Sequence, residues 1–346
     1  MADQPVRVGF VGAGGIARER HLPGLKKISG VELVIVANRR RETAAKIAEE
    51  YGFSHVSDQW RDVVARTDVD AVFIAAPPYL HKDATLAALA AGKHVFCQAR
   101  MARDYAEARE MYEAARRSSL VTMICPPPHA MRGDYLMKKL IGDGYLGDLR
   151  EVHVHAMADT FADASKPLHW RQDGFISGYN TLNVGMLVEV LHRWVGHFRQ
   201  VSAQVAYHVP RRRKEGSVQE VPVDVADSLG IVGTLRNGGL AVFHFSGVAY
   251  HGGENRIELY GSQGTLIYYI SSHRILGARA GERELQPIEI PPDLVREWRA
   301  EADFVDAIRT GSPVSPDFEE GLQYIAFTEA VYRSARTGKA IALPLE

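Results

Sequence analysis

The chain has 346 residues, a formal net charge of −1, 46% hydrophobic residues and 24% charged residues. This length allows a sizeable core and favours two domains, and the nearly balanced charge argues against nucleic acid or an anionic membrane as a general partner. No apolar run reaches the roughly 18 residues of a membrane span, and the first residues do not resemble a signal peptide, so we expect a cytoplasmic protein without membrane contact.

A glycine-rich turn near the start of the chain supports the first functional prediction. An apolar run over Val6–Val11 predicts a strand, and the glycines after it lead into a helix-compatible segment. Gly12 allows the backbone shape of the turn, Gly14 allows close approach of a pyrophosphate, and Ala17 lets the helix pack on the strand. The free N–H groups and the positive pole of the helix start attract phosphates. The pattern therefore predicts a dinucleotide site, and the predicted contacts from this turn are Gly12, Gly14, Gly15 and Ile16.

The first 125 residues alternate strand and helix patterns, which is typical of a parallel sheet covered on both faces by helices. The predicted strands are Val6–Val11, Leu33–Ala37, Ala71–Ala75, His94–Cys97 and Leu120–Ile124. The predicted helices include Glu42–Tyr51, Trp60–Arg66, Lys82–Ala91 and Tyr105–Arg117. We therefore predict an α/β fold whose first domain, residues 1–125, is a Rossmann doubly wound parallel sheet.

The pattern changes after Pro126-Pro127-Pro128, which marks the predicted boundary to a second α/β domain, residues 126–346. Runs of strands without intervening helices predict an open, largely antiparallel sheet there. The predicted strands are Glu151–Met157, Gln200–Tyr207, Ser228–Leu235, Leu240–Ser246, Arg256–Tyr260 and Thr265–Ile270. The predicted helices are Thr181–Val195, Val295–Arg309 and Phe318–Arg336, of which the last two are free to pack back on the first domain. Arg211–Lys214 is interpreted as a solvated loop.

The two cysteines, Cys97 and Cys125, each end an apolar strand-like run. This position favours buried free thiols in a reducing compartment over a disulfide or a metal pair.

The end of the second predicted strand indicates which dinucleotide is bound. Asn38 stands where NAD-binding domains of this type place a carboxylate on the 2′-hydroxyl of the ribose, and Arg39, Arg40 and Arg41 follow it. Cations at a helix start oppose the helix dipole by a few tenths to about 1 kcal/mol each, whereas a bound 2′-phosphate would pair with the guanidinium groups. We therefore expect NADP(H) to be favoured, with Asn38, Arg39 and Arg40 in contact. A solvated helix face is the alternative, and NAD(H) remains possible.

Three further segments match motifs of a known family. Ala71–His81 reads as a strand followed by a Pro-x-x-x-His loop, Ala91–Cys97 leads into a loop after the next strand, and Tyr260–Leu266 reads as a late hairpin. These segments resemble the Gfo/Idh/MocA family of NAD(P)-dependent sugar and cyclitol oxidoreductases over essentially the whole chain. The resemblance implies a second domain whose open sheet faces the nicotinamide and often forms subunit contacts, and hence a homodimer or homotetramer through that sheet. It also implies cofactor contacts from Ala75, Pro77, His81 and Gln98.

The catalytic positions depart from the family's pattern. The family usually reads Glu-Lys-Pro after the cysteine, where this chain has Gln98-Ala99-Arg100. The family's later helix usually carries Asp-x-Gly-x-His-x-x-Asp, and the same register here holds Asn183, Leu187 and Val190. A positioned base speeds alcohol oxidation by about 10²–10⁴, and alanine and leucine cannot accept a proton. The family's sugar dehydrogenase mechanism is therefore not expected, although Gln98 still offers hydrogen bonds to the nicotinamide ribose or carboxamide.

Three residues are candidates for the missing catalytic group, with structural alternatives left open. Tyr179 could donate a proton from its phenol or simply fill space. His129 could act as an acid or pack between the domains. Asn183 takes the place of the first aspartate of the helix motif.

Three more residues are candidates for substrate binding. Trp170 could stack on a ring or merely pack, and Arg171 could bind a carboxylate through two hydrogen bonds. His251 could reach the site from its loop or lie at the surface. His153 and His155 share one face of a strand at a spacing that suits a metal, but no third ligand is evident, and no metal is predicted.

These patterns predict an NAD(P)-dependent oxidoreductase that acts on a small carbonyl, alkene or alcohol substrate. The side chains of Trp170, Tyr179, Met186 and Leu187 favour a hydrophobic or aromatic molecule. One alternative is a catalytically inactive NADP-binding sensor or assembly protein. The other is a lyase or hydrolase that uses bound nicotinamide.

Overall fold

The computed structural model describes residues 5–125, 131–179 and 182–345. The chain divides into two compact units, the first formed by Met1–Pro126 and Arg299–Leu322 and the second by Pro127–Trp298 and Gln323–Glu346. A segment from late in the sequence therefore completes the first unit.

The helices surround two separate sheets. In chain order the α-helices of the described residues are α1 (Leu22–Leu25), α2 (Arg41–Tyr51), α3 (Trp60–Ala65), α4 (His81–Ala90), α5 (Tyr105–Arg116), α6 (Asp134–Gly142), α7 (Gly174–Ser177), α8 (Val184–Val195), α9 (Ala300–Thr310) and α10 (Phe318–Thr337). A π-helical turn, Ala17–His21, precedes α1, and 3-10 turns form at Pro78–Leu80, Trp170–Gln172 and Pro292–Leu294.

The sheet of the first unit is parallel throughout. Its strands are β1 (Val6–Val11), β2 (Val31–Ala37), β3 (His55–Ser57), β4 (Ala71–Ile74), β5 (His94–Cys97) and β6 (Thr122–Ile124). Within the described ranges they lie in the order β3-β2-β1-β4-β5-β6, which confirms the predicted Rossmann fold. Because the strand order reverses between β1 and β4, a crevice for a ligand opens at the carboxyl ends of these two strands.

Aromatic side chains form the centre of the first unit. Phe73 stacks on Phe10 at 5.0 Å and on Phe96 at 4.5 Å between ring centroids. Phe304 of α9 meets Phe73 edge-on at 5.4 Å, and all four rings are buried. Helix α9 therefore belongs to this core although it lies far along the chain.

The second unit contains a larger, mixed sheet. Its strands are β7 (Leu149–Met157), β8 (Phe198–Ala206), β9 (Arg211–Arg213), β10 (Glu220–Pro222), β11 (Ser228–Leu235), β12 (Leu240–Ser246), β13 (Arg256–Gly261), β14 (Gly264–Tyr269), β15 (Ile275–Arg279), β16 (Gln286–Pro287) and β17 (Ile341–Ala342). Among the described residues, nine strands follow the order β16-β15-β14-β13-β7-β12-β11-β8-β17, while β9 and β10 pair separately. Only the β7–β12 pair of this nine-stranded sheet is parallel in the described part of the chain, which confirms the largely antiparallel prediction.

Helices cover one face of this sheet and leave the other open. Phe327 of α10 lies 4.7 Å from the ring of Phe198, and Trp194 of α8 lies 5.7 Å from the ring of Tyr268. The opposite face exposes apolar side chains on β11 and β12, including Val232 at 48% and Val242 at 41%. The alternation of buried and exposed residues thus follows the period of two expected for a strand with one covered face.

Buried charges join the helices of the second unit. Asp134 accepts hydrogen bonds from the indole of Trp194 at 2.7 Å and from the guanidinium groups of Arg193 and Arg296 at 2.5 and 2.6 Å. Arg193 also pairs with Glu189 at 2.5 Å, one turn earlier on α8. Glu189 therefore has a structural partner on its own helix.

The prediction of a solvated loop over Arg211–Lys214 is wrong. Its first three residues form β9, and the side chain of Arg212 is almost wholly buried. The Arg212 guanidinium donates to the carbonyl oxygens of Asp163 at 2.7 Å, Lys166 at 3.2 Å and Phe161. The terminal nitrogens of this one buried guanidinium thus bond to backbone acceptors, while its Nε has no partner among the described residues, and a charge run alone does not reveal either fact.

Two helix boundaries also differ from the prediction. Helix α8 begins at Val184, and the predicted start at Thr181 lies outside the described residues. Helix α9 begins only at Ala300, because the 3-10 turn Pro292–Leu294 is followed by a non-helical stretch that occupies the first part of the predicted segment.

No helix in the described part of the chain combines the length and apolar character needed to span a bilayer.

Candidate functional site

The glycine turn after β1 has the geometry of a phosphate site. Gly12 has a φ of +80°, and a Cβ at this position would lie 2.7 Å from the Cα of Ala76. A Cβ on the exposed Gly14 would have no neighbour within 4 Å, so the side facing the crevice is open. The N–H of Arg18 bonds to the carbonyl of Gly14 in the first helical turn, and the N–H groups before it lie outside the helical ladder. The turn therefore offers backbone donors beside free space.

The end of β2 is tied to this turn. The side-chain oxygen of Asn38 accepts a hydrogen bond from the N–H of Ala13 at 2.7 Å. Arg39 and Arg40 follow in exposed positions, and Arg40 is the N-cap of α2 without a side-chain cap. Within the described ranges, no carboxylate pairs with either guanidinium. Two cations without a carboxylate partner are thus held at the start of a helix whose first turn carries one acidic residue, Glu42.

His81 lies beneath the site rather than at its surface. The ring is 1% exposed, and its Nε2 lies 2.7 Å from the carbonyl oxygen of Ala76. Its Nδ1 lies 2.8 Å from the carbonyl of Arg100 and 3.1 Å from that of Met101. Burial lowers the pKa of His81, while these carbonyls act against the shift. His81 therefore connects the loop after β4 to the loop after β5. Ala75 and Pro77, which are also predicted cofactor contacts, are half-buried in the loop after β4.

Gln98, directly after β5, is held by a buried pair that the sequence did not reveal. Its Oε1 lies 2.8 Å from Nε2 of His21, and Nδ1 of His21 lies 2.6 Å from Oε1 of Glu301. The His21 and Glu301 side chains are 0% and 3% exposed. The spacing from the glycine turn could have pointed to His21, but nothing local links Glu301 to it.

The two cysteines are buried and free, as predicted. Burial raises the pKa of both thiols, so they remain protonated near neutral pH. The Cys125 thiol also lies within hydrogen-bonding reach of the Gln98 side chain.

The catalytic candidates of the second unit lie in different environments. Tyr179 is half-buried, with its ring stacked on Tyr332 at 4.6 Å and the guanidinium of Arg336 at 5.9 Å. Asn183 is exposed at the N-cap of α8 and has a φ of +63°. The third candidate, His129, lies outside the described residues.

Two of the three substrate candidates are in contact with each other. The guanidinium of Arg171 lies 4.3 Å from the ring of Trp170, both side chains are half-buried, and burial lowers the pKa of Arg171. His251 is exposed and has a φ of +56°. His153 pairs with Glu151 at 3.0 Å, and no group of three or more metal-ligating side chains forms in the part of the chain that the structure describes.

Comparison with known proteins identifies the family. Residues 6–125 match the model of an oxidoreductase family with an NAD-binding Rossmann fold, and residues 138–343 match the C-terminal alpha/beta domain of the same family. The chain belongs to the Gfo/Idh/MocA oxidoreductase family. It is therefore a nucleotide-binding oxidoreductase built on a nicotinamide-dependent scaffold.

Two curated relatives align over nearly the whole chain. Levoglucosan dehydrogenase of Pseudarthrobacter phenanthrenivorans is 26% identical over 90% of this chain and 89% of its own. The 1,5-anhydro-D-fructose reductase of Ensifer adhaerens is 29% identical over 96% of this chain and 97% of its own. The structure of a levoglucosan dehydrogenase in complex with NADH and L-sorbose shares the fold, with a TM-score of 0.90, 24% identity and coverage of 98% and 99% of the two chains.

The positions predicted to depart from the Gfo/Idh/MocA pattern include three without an ionisable side chain. Ala99 is half-buried after Gln98, and Leu187 and Val190 are buried on α8. Alanine, leucine and valine cannot exchange protons.

A nicotinamide dinucleotide fits the residues of the first unit. The open side of Gly14 leaves room for a pyrophosphate, and the cations of Arg39 and Arg40, which pair with no carboxylate in the part of the chain that the structure describes, suit a phosphate on the ribose. Gln98, at the carboxyl end of β5, has amide groups suited to a carboxamide or a ribose hydroxyl.

Proposed function

We propose that this oxidoreductase prefers NADP(H) and reduces an activated carbonyl, C=C or C=N bond of a small molecule. The observation that carries the cofactor preference is the arrangement of Asn38, Arg39 and Arg40 at the end of β2. A neutral amide stands where a carboxylate would repel a 2′-phosphate, and two guanidinium groups without carboxylate partners among the described residues follow it. This set favours a dianionic phosphate over a hydroxyl.

The remaining predicted contacts would hold the rest of the cofactor. The N–H groups of Gly14, Gly15 and Ile16 would bind the pyrophosphate, and Gln98 would bind the nicotinamide half. Ala75 and Pro77 would line the crevice, and His81 would act indirectly by fixing their loop. When bound, the cofactor supplies the hydride.

Reduction suits a site without a strong base. An alcohol must lose a proton as it is oxidised, whereas a carbonyl gains one as it is reduced, and a neutral donor or water can provide it. Tyr179 is the residue that we propose as the proton donor, and the side-chain amide of Asn183 would hold the substrate. His129 remains a prediction for an acid in the same role.

The proposed substrate is a small carbonyl compound or its unsaturated equivalent. The two relatives described above are named for levoglucosan and 1,5-anhydro-D-fructose, which makes anhydro sugars and ketoses the first compounds to test. The half-buried aromatic groups of Trp170 and Tyr179 favour a hydrophobic or aromatic carbonyl as the competing class. Arg171 and the exposed His251 would bind polar groups of either class of substrate.

The cofactor proposal is tested by calorimetric binding of NADPH and NADH. We expect Arg39→Ala and Arg40→Ala each to weaken NADPH binding by about tenfold, equivalent to ~1.4 kcal/mol, while NADH binding stays the same. Lys46→Ala is the matched control, because it removes an exposed cation from the same helix away from its start. Equal affinities of the wild type for NADPH and NADH would refute the preference.

The reaction is tested by following NADPH absorbance with ketoses, anhydro sugars, enones, imines and aromatic ketones. Turnover of one class identifies the substrate. Tight NADPH binding without turnover of any class would support the inactive sensor or assembly protein. Product formation without net loss of NADPH would instead support the lyase or hydrolase.

We also propose that the open face of the nine-stranded sheet joins two or more copies of the chain. Val232 and Val242 are directly opposite each other in the β11–β12 register, and Leu240 on the same face is 44% exposed. Apolar surface of this kind is stabilised by burial against an equal surface. Val232→Lys should shift the molecular mass in light scattering towards a monomer, and a wild-type monomer would contradict the proposal.

A further inference from the structure

A buried line of polar side chains crosses the aromatic centre of the first unit. Glu301 contacts His21 at 2.6 Å, and His21 contacts Gln98 at 2.8 Å. The His21 ring lies 5.1 Å from the ring of Phe96 and 5.9 Å from that of Phe73. Polar groups among aromatic rings are costly unless each finds a partner, so these hydrogen bonds are strongly selected over alternatives.

The chemistry of this line fixes the direction of the Gln98 amide. The Oε1 of Gln98 is the amide atom that faces Nε2 of His21, and an amide oxygen accepts hydrogen bonds. Glu301 contacts the other ring nitrogen, Nδ1, and so holds the ring in place. The Nε2 group of Gln98 is then turned away from His21, with two hydrogens to donate.

The opposite orientation of the amide would present a different group to a ligand. If Nε2 of His21 carried no hydrogen, it would accept a hydrogen bond from the amide nitrogen of Gln98, and the Oε1 of Gln98 would face the crevice instead. Gln98 is half-buried at the carboxyl end of β5, where ligands of this fold bind. The buried pair therefore decides whether a donor or an acceptor faces the crevice.

We propose that His21 and Glu301 are positioning residues that hold the Gln98 amide with its N–H groups towards the nicotinamide half of the cofactor. The inference rests on the proposed function, since it assumes that a nicotinamide dinucleotide occupies the crevice. The amide hydrogens of Gln98 are then available to a carboxamide oxygen or a ribose hydroxyl. Neither His21 nor Glu301 touches the ligand in this arrangement.

The experiment compares a whole cofactor with a fragment that lacks the nicotinamide. Binding of NADPH and of adenosine 2′,5′-bisphosphate is measured by calorimetry for the wild type and for Glu301→Leu. Leucine keeps much of the volume of the side chain but cannot form a hydrogen bond with His21. We expect NADPH binding to weaken by about five- to tenfold, the effect of one hydrogen bond, while fragment binding is unchanged.

A second variant keeps all three side chains and moves only the carboxylate. A Cβ on Gly24 would lie 2.7 Å from Oε2 of Glu301, so Gly24→Ala should displace Glu301 and give the same selective loss. Thermal unfolding without ligand shows whether either variant is folded.

A double-mutant cycle separates positioning from a general structural role. In a Gln98→Ala background, Glu301→Leu should cause no further loss of NADPH affinity, because the residue through which it acts is gone. Equal losses for NADPH and the fragment, no loss for either, or an additive loss in the Gln98→Ala background would each overturn the inference.

The outcome is independent of the cofactor preference. Should the wild type bind NADH as tightly as NADPH, the comparison is made with NADH and AMP, which differ in the same way. A selective loss of NADH would then support the role of His21 and Glu301 although the proposed NADP(H) preference had failed.

Discussion

The side chain of Asn38 and the backbone of Ala13 are joined by a hydrogen bond of 2.7 Å between Oδ1 and N–H. This bond connects the residue after β2 to the glycine turn after β1. The group that stands in place of a ribose-binding carboxylate therefore also supports the turn. A substitution at Asn38 can change the cofactor preference without breaking the turn only if an acceptor is kept.

Asn38→Asp keeps that acceptor and adds a negative charge. We expect NADPH affinity to fall by tenfold or more, at ~1.4 kcal/mol per factor of ten, because the carboxylate repels a 2′-phosphate. NADH affinity should stay the same or rise. Asn237→Asp makes the same chemical change on an exposed hairpin whose Asn oxygen also accepts a backbone N–H. Unchanged calorimetric affinities for both cofactors in Asn38→Asp would contradict the prediction.

Two glycine substitutions separate folding from phosphate binding. Gly12→Ala should lower the free energy of unfolding by about 1–3 kcal/mol, because its φ of +80° and the close Ala76 backbone both disfavour a Cβ. Gly14→Ala should leave stability nearly unchanged but weaken dinucleotide binding, since its Cβ would occupy the open side of the turn. Urea unfolding and calorimetry measure the two effects. Similar stabilities together with normal binding in both variants would be inconsistent with this site.

Tyr179→Phe tests the proposed proton donor. Loss of the hydroxyl should reduce turnover by about 10²-fold, near the lower limit for general acid catalysis, and should leave NADPH binding unchanged. The ring can still stack on Tyr332, so stability should be preserved. Tyr207→Phe removes another partly exposed phenol of the second unit and should have no effect on turnover. Full activity of Tyr179→Phe would mean that water or His129 donates the proton instead.

Arg212→Ala should destabilise the second unit by about 2–4 kcal/mol, because three backbone carbonyls lose a charged donor. Limited proteolysis should then cut the segment that contains Phe161, Asp163 and Lys166. Arg213→Ala is the neighbouring control, since the exposed Arg213 donates to one carbonyl, that of Ser165. Equal melting temperatures for the two variants would show that burial of Arg212 adds nothing.

His192 predicts a pH dependence of stability. Burial lowers the pKa of His192 to about 3, with His197 and Arg236 acting in the same direction. Its contribution is therefore complete above the unfolded value near 6.5 and is lost as the pH falls towards 3. Across that window the free energy of unfolding should fall by up to about 1.4 kcal/mol per pH unit.

Replacement of His192 by Gln should flatten this slope, whereas His251→Gln removes an exposed ring and should not. Urea unfolding from pH 7 to pH 4 measures both. Parallel curves for His192→Gln and the wild type would refute the assignment.

Much of the fold follows from local patterns. The bounds predicted for β1, β5, β11 and β12 match the structure because short apolar or alternating runs there end at glycine or polar turns. Local patterns did not predict helix α6. Its first residue, Asp134, is held by Trp194, Arg193 and Arg296, which lie in other parts of the chain. Such long-range pairing has no local pattern.

The candidate site was only partly predictable for the same reason. The open turn at Gly14 and the cations at Arg39 and Arg40 could be read from adjacent residues. The contacts of His81 with carbonyl groups, and the contact of His21 with Glu301, depend on loops and helices that are brought together by folding. The roles of Tyr179, Asn183, Trp170, Arg171 and His251 stay predictions.

The membership of α9 in the first unit has a consequence for biosynthesis. Phe304 and Glu301 reach the ribosome exit long after Phe73, Phe96 and His21, whose rings and polar atoms they contact. Until then the nascent chain exposes the aromatic surface of Phe73 and Phe96 and leaves the His21 ring without its partner Glu301. Exposure of this kind recruits chaperones and leads to aggregation. Premature termination anywhere before α9 therefore yields a nucleotide-binding half that lacks part of its own interior.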